Sequence, residues 1–124
     1  MFKSYKVYLQ ISRDQVTAID LNTGLKVTRK AEQSFSSTRQ ILSNFNNADI
    51  TVRNTLKDLG VKRSFFALKV VIQQTEGTEG GLSDIEKRAL RDIAEIAGAD
   101  KVYIAEQERT LTQDEALQII GQKK

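Results

Sequence analysis

Hydrophobic and polar positions alternate at the start of the chain. Tyr5, Val7, Leu9 and Ile11 are separated by Lys6, Tyr8 and Gln10, the period of two that a half-buried strand requires. Ser12-Arg13-Asp14 supplies a tight turn, and Val16 to Leu21 repeats the strand character. Asn22-Thr23-Gly24 marks a hairpin before a third strand from Leu25 to Arg29. Connections this short force antiparallel neighbours. The polar stretch Ala31 to Arg39 breaks the pattern, and Gln40-Ile41-Leu42 reads as a brief extended segment.

From Asn44 the period lengthens. Phe45, Ala48, Val52, Leu56 and Leu59 fall at steps of three and four, which predicts an amphipathic helix closed by Gly60. Phe65 to Ile72 is a near-continuous apolar run, as expected of a strand covered on both faces. Gln73 to Leu82 reads as a Gly/Thr/Glu loop. Ser83-Asp84-Ile85-Glu86 forms a capping box, with Ile85, Ala89, Ile93 and Ile96 as the predicted buried stripe and Gly98 as the stop. Lys101 to Glu106 is a fifth strand. Thr112-Gln113-Asp114-Glu115 is a second capping box, with Leu111 and Ala116 as its staple and Gly121 as the predicted end. The chain has no internal repeat, low-complexity tract or linker.

The order βββαβαβα predicts an α/β fold in which a meander feeds right-handed crossovers, giving a mixed five-stranded sheet with helices packed on it. That arrangement is ribonuclease H-like, the plan of an actin-type lobe, and other α/β sandwiches share parts of it. Residues 1–124 are expected to form a single domain, a length sufficient for one sizeable core.

Composition narrows the chemistry. The chain has no Cys and no His, which excludes thiolate nucleophiles, Cys-type metal sites and imidazole-based acid–base catalysis. Carboxylates, lysines, tyrosines and hydroxyls remain. No apolar run approaches the roughly 18 residues of a spanning helix, and the start has no apolar signal region, so a cytoplasmic location is expected. Residues 1–69 carry 12 basic and 5 acidic side chains, and residues 70–124 carry 7 and 11. A basic half suits nucleic acid or an acidic partner. No block of like charges accompanies it, however, and an unevenly solvated surface is the simpler account.

Two resemblances follow from particular residues. Leu82 to Ala116 (LSDIEKRALRDIAEIAGADKVYIAEQERTLTQDEA) resembles the part of the bacterial actin MreB family in which a V-E-R-R-A-I-R-E helix leads through a G-A-R-E turn to a V-F-L-I-E-E strand end. Ile41 to Gly60 is similar to the segment of that family that begins V-I-A-D-F and continues into a helix. The likeness covers about one third of such a protein, the subdomain called IA. Tyr8 to Val16 (YLQISRDQV) and Glu79 to Ser83 (EGGLS) resemble more closely the short YjaA-like bacterial proteins, with their Y-I-Q-I-R-R-N-Q-I-T-V start and E-G-G-L-S motif.

The MreB resemblance implies a nucleotide clamped between two lobes, with a strand-end D-x-G-T loop whose Asp holds hydrated Mg²⁺ and whose Gly admits the phosphates. The matching positions here are Gln10-Ile11-Ser12-Arg13. Gln lacks the charge a hard cation favours, and Ser restricts the backbone where Gly is needed. Glu106 matches the glutamate that orients the attacking water, and a solvated strand-end residue is the simpler account of it. A lone Glu makes no ribonuclease H-type two-metal centre, and Asp20 ends the wrong strand for one. The Glu79-Gly80-Gly81-Leu82-Ser83 loop lacks the phosphate-loop pattern, and Glu76 and Glu79 repel anions. Glu106/Glu108 and Asp114/Glu115 do not form a Ca²⁺ loop. Tyr5, Phe65 and Phe66 read as core, and Tyr8, on the polar face, is the aromatic left open for stacking.

The expected function is therefore a non-enzymatic binding module with no cofactor and no metal. It is expected to be a degenerate single-lobe relative of MreB that docks a protein partner, one of the MreB-type cytoskeleton included. Two alternatives stay open. One is a residual nucleotide-binding or phosphotransfer protein that acts as an oligomer through Glu106 with Thr23 or Ser12. The other is weak nucleic-acid binding by the basic half.

Overall fold

The five main predicted strands and three predicted helices form, with boundaries shifted by the packing partners each one finds. The structure is a computed structural model that describes residues 4–61 and 67–122. Phe65 and Phe66, at the head of the predicted fourth strand, lie outside the described residues. The strands are β1 (Ser4–Ser12), β2 (Gln15–Asp20), β3 (Lys26–Lys30), β4 (Ala67–Gln74) and β5 (Lys101–Ile104). The helices are α1 (Phe45–Leu59), α2 (Asp84–Ile96) and α3 (Gln113–Gln122). One five-stranded mixed sheet has the order β3-β2-β1-β4-β5. β1 is antiparallel to β2 and parallel to β4, β5 is parallel to β4, and β3 closes the other side antiparallel to β2. Among the described residues no helix is long and apolar enough to cross a membrane.

Two hydrophobic layers hold the sheet. On one face α1 and α2 cover Val7, Leu9, Ile11, Leu68, Val70 and Ile72. On the other, α3 covers Tyr8, Val71 and Tyr103. The alternation that predicted a half-buried β1 therefore describes a central strand with both faces covered. Tyr8 is fully buried, so the aromatic that sequence left open for stacking is a core residue instead.

The helix ends follow their caps. Asn44 accepts the Asn47 amide, and Gly60 ends α1 at φ 91°, a left-handed conformation that Gly adopts without the Cβ clash. Ser83 and Glu86 form the predicted reciprocal box on α2. The stripe of α2 differs from expectation: Leu90, Ile93, Ala94 and Ala97 are buried, while Ile85 is 81% and Ile96 52% exposed. At 3.6 residues per turn the Ile85–Ala89–Ile96 face also carries Asp92. Turning it to the sheet would bury an unpaired carboxylate at a cost of several kcal/mol, whereas the chosen face is wholly apolar.

Three further differences have local causes. Gln73 and Gln74 belong to β4 rather than to the loop, because their side chains find buried partners. Gly121 does not stop α3, which continues to Gln122. Gln40 to Leu42 forms bends rather than a strand; the Ile41 carbonyl accepts the Ser36 hydroxyl at 2.6 Å, closing a small loop on the buried Phe35 and Ile41 side chains.

Candidate functional site

The carboxyl ends of β1, β4 and β5 lie at the same end of the sheet, where open α/β sheets form ligand crevices. Gln10 is level with Gln73 in the parallel register, and Ser12 and Arg13 lead into the hairpin turn. The turn is filled by the chain itself. The Arg13 backbone N–H, the type of donor a phosphate loop turns towards its ligand, donates to Glu76 Oε1 at 2.9 Å. The Arg13 guanidinium donates to the Ser37 carbonyl, and Gln74 Nε2 donates to the Glu76 carbonyl at 3.0 Å. Asp14 adopts φ 52°, and its Oδ1 accepts from Ser34 Oγ at 2.9 Å, Phe35 N at 2.9 Å and Ser36 N at 2.8 Å. These bonds, the Ser36 amide foremost, hold the carboxyl below its ordinary pKa.

A second internal closure lies on the α3 face. The Tyr8 hydroxyl donates to Gln73 Oε1 and accepts the Leu111 amide at 2.9 Å. Gln73 Nε2 donates to the Gln107 and Arg109 carbonyls at 2.9 and 2.8 Å. The two side chains thereby latch the β5–α3 connection across the ends of β1 and β4, with the hydroxyl's donor and acceptor and the amide's donors all engaged. Burial raises the Tyr8 phenol pKa, opposed by the Leu111 amide. The latched loop ends in a charged clasp, Arg109 to Glu115, and this guanidinium lowers the Glu115 carboxyl to about 2. Thr112 and Glu115 complete the second capping box at 3.1 and 2.9 Å.

Glu106, two residues beyond β5, faces a different surface. Its Oε1 pairs with Lys87 Nζ of α2 at 3.1 Å. It lies two strands from β1, about 10 Å at the ordinary interstrand spacing. It borders an 840 Å³ groove lined by α2 (Asp84, Lys87, Arg88, Arg91, Asp92 and Glu95), by β5 and by Ile119 of α3. This groove presents open concave surface of substantial size.

The structure thus separates the predicted positions. Gln10, Ser12 and Arg13 cluster at the closed strand end, whereas Glu106 stands on the groove. Thr23 lies at the opposite end of β1, beside Asn22, whose side chain reaches the Ser4 carbonyl at 3.2 Å. Asp20 caps that turn through Asn22 N at 2.8 Å. The Gly80 and Gly81 loop leads into an α2 terminus already capped by Ser83 and Glu86. Among the described residues no group of three or more acidic, His or Cys side chains is placed to hold a metal. Sequence reasoning placed Gln73 in a loop and read Glu76 only as a charge that repels anions, and so missed that these two residues close the crevice. The one signal was polar residues directly following an apolar run in register with Gln10.

Compared with known proteins, the chain is 30% identical over 128 aligned positions to the uncharacterized protein YjaA of Escherichia coli strain K12, an alignment covering 94% of this chain and 98% of that protein. No protein-family profile matches the chain.

Proposed function

The chain belongs to the YjaA family, and from that premise we propose that it is a non-enzymatic interaction module whose working surface is the groove between α2, β5 and α3. One observation carries the reading: Glu76 occupies the Arg13 amide at 2.9 Å, so the donor a nucleotide would need is already satisfied by an internal anion. A phosphate at that position would have to displace this carboxylate and then lie against it. The meander-then-crossover order of the sheet supports reading residues 1–124 as a single ribonuclease H-like, actin-type lobe. On that reading the protein is a relative of MreB subdomain IA whose phosphate loop has been replaced by Gln10, Ser12 and Arg13, and its partner is a protein, an MreB-type filament being the first to test.

The rival nucleotide-handling reading requires Glu106 to act with Ser12 or Thr23. Glu106 is paired with Lys87, Ser12 is two strands away, and Thr23 is at the far end of β1. Nucleic-acid binding by the basic half ranks lower, because Arg29 is paired with Asp58 and Glu32, and Arg53 with Asp49. Chemical-shift mapping with Mg²⁺-ATP tests the choice. The module reading expects no shifts at millimolar nucleotide; shifts clustered at Gln10 to Asp14 and Glu106 would overturn it. A pull-down against MreB that captures nothing would remove that partner.

A further inference from the structure

The two edges of the sheet are guarded differently. β3 carries exposed Lys26 and Lys30 with Arg29 between them, the kind of charged edge that repels another strand. β5 reads Lys-Val-Tyr-Ile, with one charge and no proline, and among the described residues no strand pairs with its outer side. We propose that this edge, with the groove beside it, is a self-association surface. A second copy of the chain pairs antiparallel with β5 about a two-fold axis at Tyr103, joining two five-stranded sheets into one. The inference rests on the interaction-module reading and names the partner for its groove.

Three features of the fold fit that occupant. The first is the backbone. The Ala105 amide donates inward to the Ile72 carbonyl at 2.9 Å, so strand alternation turns the amide and carbonyl groups of Val102 and Ile104 outward. With Tyr103 facing its own copy on the axis, Val102 lies opposite Ile104 of the second chain. Both positions then form reciprocal hydrogen-bonded pairs.

The second is the spacing of the helices. α2 packs on both β4 and β5. Strands about 4.8 Å apart therefore bring the two α2 axes to about 10 Å, the distance of directly packed helices.

The third is charge order. Beyond Asp84 at its start, the flank of α2 on the groove runs from basic Lys87, Arg88 and Arg91 to acidic Asp92 and Glu95. In an antiparallel pair the basic half of each helix faces the acidic half of the other, with Arg88 opposite Glu95 and Arg91 opposite Asp92. Among the described residues none of these four side chains has an ion-pair partner within the chain. A surface of this kind is self-complementary in the sense an isologous dimer needs. On β5 itself the same register sets Lys101 beside the Ala105–Glu106 end of the other copy.

Charge-swap variants test the assignment by sedimentation equilibrium, with circular dichroism verifying the fold of these surface variants. The wild type is expected to reach twice its 13.9 kDa chain mass and to dissociate as salt rises. Arg88→Glu/Arg91→Glu sets acidic groups opposite Glu95 and Asp92 of the other copy, and Asp92→Lys/Glu95→Lys sets basic groups opposite Arg91 and Arg88. Each alone is expected to weaken self-association by about tenfold or more, and mixing the two restores a heterodimer. A wild type that stays monomeric up to millimolar concentration overturns the proposal, even if an extended peptide binds β5. A dimer indifferent to both variants overturns it as well. Neither result bears on the nucleotide titration, and nucleotide-dependent shifts would overturn the module reading without altering the sedimentation result.

Discussion

Replacing Tyr8 with Phe deletes one oxygen from the interior and leaves the ring in place. In the native protein that oxygen donates to Gln73 Oε1 and accepts the Leu111 amide, and Tyr8 itself is fully buried. Tyr8→Phe therefore strands one acceptor and one donor without opening a cavity large enough to admit a replacing water. Each buried unsatisfied group costs about 1–3 kcal/mol. The Gln73 amide keeps its bonds to Gln107 and Arg109, which places the sum near the low end, about 2–3 kcal/mol. Against a typical total stability of about 5–15 kcal/mol that is a large fraction. With a urea slope of roughly 1–3 kcal/mol/M, the unfolding midpoint should fall by about 0.7–3 M at unchanged slope. Gln73→Leu should destabilise through the orphaned loop carbonyls, and the double variant should show non-additivity of about 0.5–3 kcal/mol because the two side chains share one network. Hydrogen exchange supplies an independent readout, since the Leu111 amide should lose protection in Tyr8→Phe before the central strands do. A Tyr8→Phe unfolding free energy within about 0.5 kcal/mol of wild type, with Leu111 still protected, would refute the latch.

Two further outcomes follow from the charged side chains around the closed strand end. The Glu115 carboxyl, lowered to about 2 by Arg109, has a folded pKa below its unfolded value. Its contribution to stability is therefore present above about 4.5 and is lost as pH falls through about 2. Carboxyl NMR titration should find this midpoint, and Arg109→Ala should move it up towards 4.5; an unmoved midpoint would exclude the clasp as the cause. At Asp14, Ala loses three accepted bonds and strains the φ of 52°, whereas Gly loses the bonds alone. Both variants should be destabilised, Asp14→Gly by about 1 kcal/mol less than Asp14→Ala, as measured by urea unfolding.

Much of the fold was legible because local periodicity and caps agree with the tertiary packing. The period of two in Tyr5 to Ile11, the three-and-four spacing from Phe45 to Leu59 and the Ser83 capping box each acted on neighbours within a few residues. What was illegible depended on partners distant in sequence. Tyr8 is polar-faced only until α3, more than a hundred residues on, covers it. Phe35 stands in a stretch that reads as polar loop, yet it is fully buried because Asp14 accepts its amide and that of Ser36. The α2 stripe was misread in part because Ile85 and Ile96 fell on the face that Asp92 occupies, whereas Ile93 is buried as predicted. In the candidate site, Gln10, Ser12, Arg13 and Glu106 were visible as departures from or matches to a family pattern. The roles of Gln73 and Glu76 in closing that end were not, because a residue that fills a site bears no motif of the site it fills.

The closed strand end and the open groove are connected by the same element. β5 continues directly into the segment latched by Tyr8 and Gln73, and Glu106, at the start of that segment, is tied to Lys87 on the groove flank of α2. Here internal side chains anchor this connection, so the outer edge of β5 and the charge order of α2 are held in a fixed relation whether or not anything is bound. Fixed geometry lowers the ordering entropy lost on association. The hydrogen bonds of Tyr8 and Gln73 thus make the neighbouring edge a preorganised surface for the proposed pairing. Tyr8→Phe accordingly predicts a coupled result: as the latch loosens, self-association through β5 should weaken in step with the lost protection at Leu111. If the loop loosens while the association constant from sedimentation equilibrium stays at its wild-type value, the closed end and the edge are independent features of the fold.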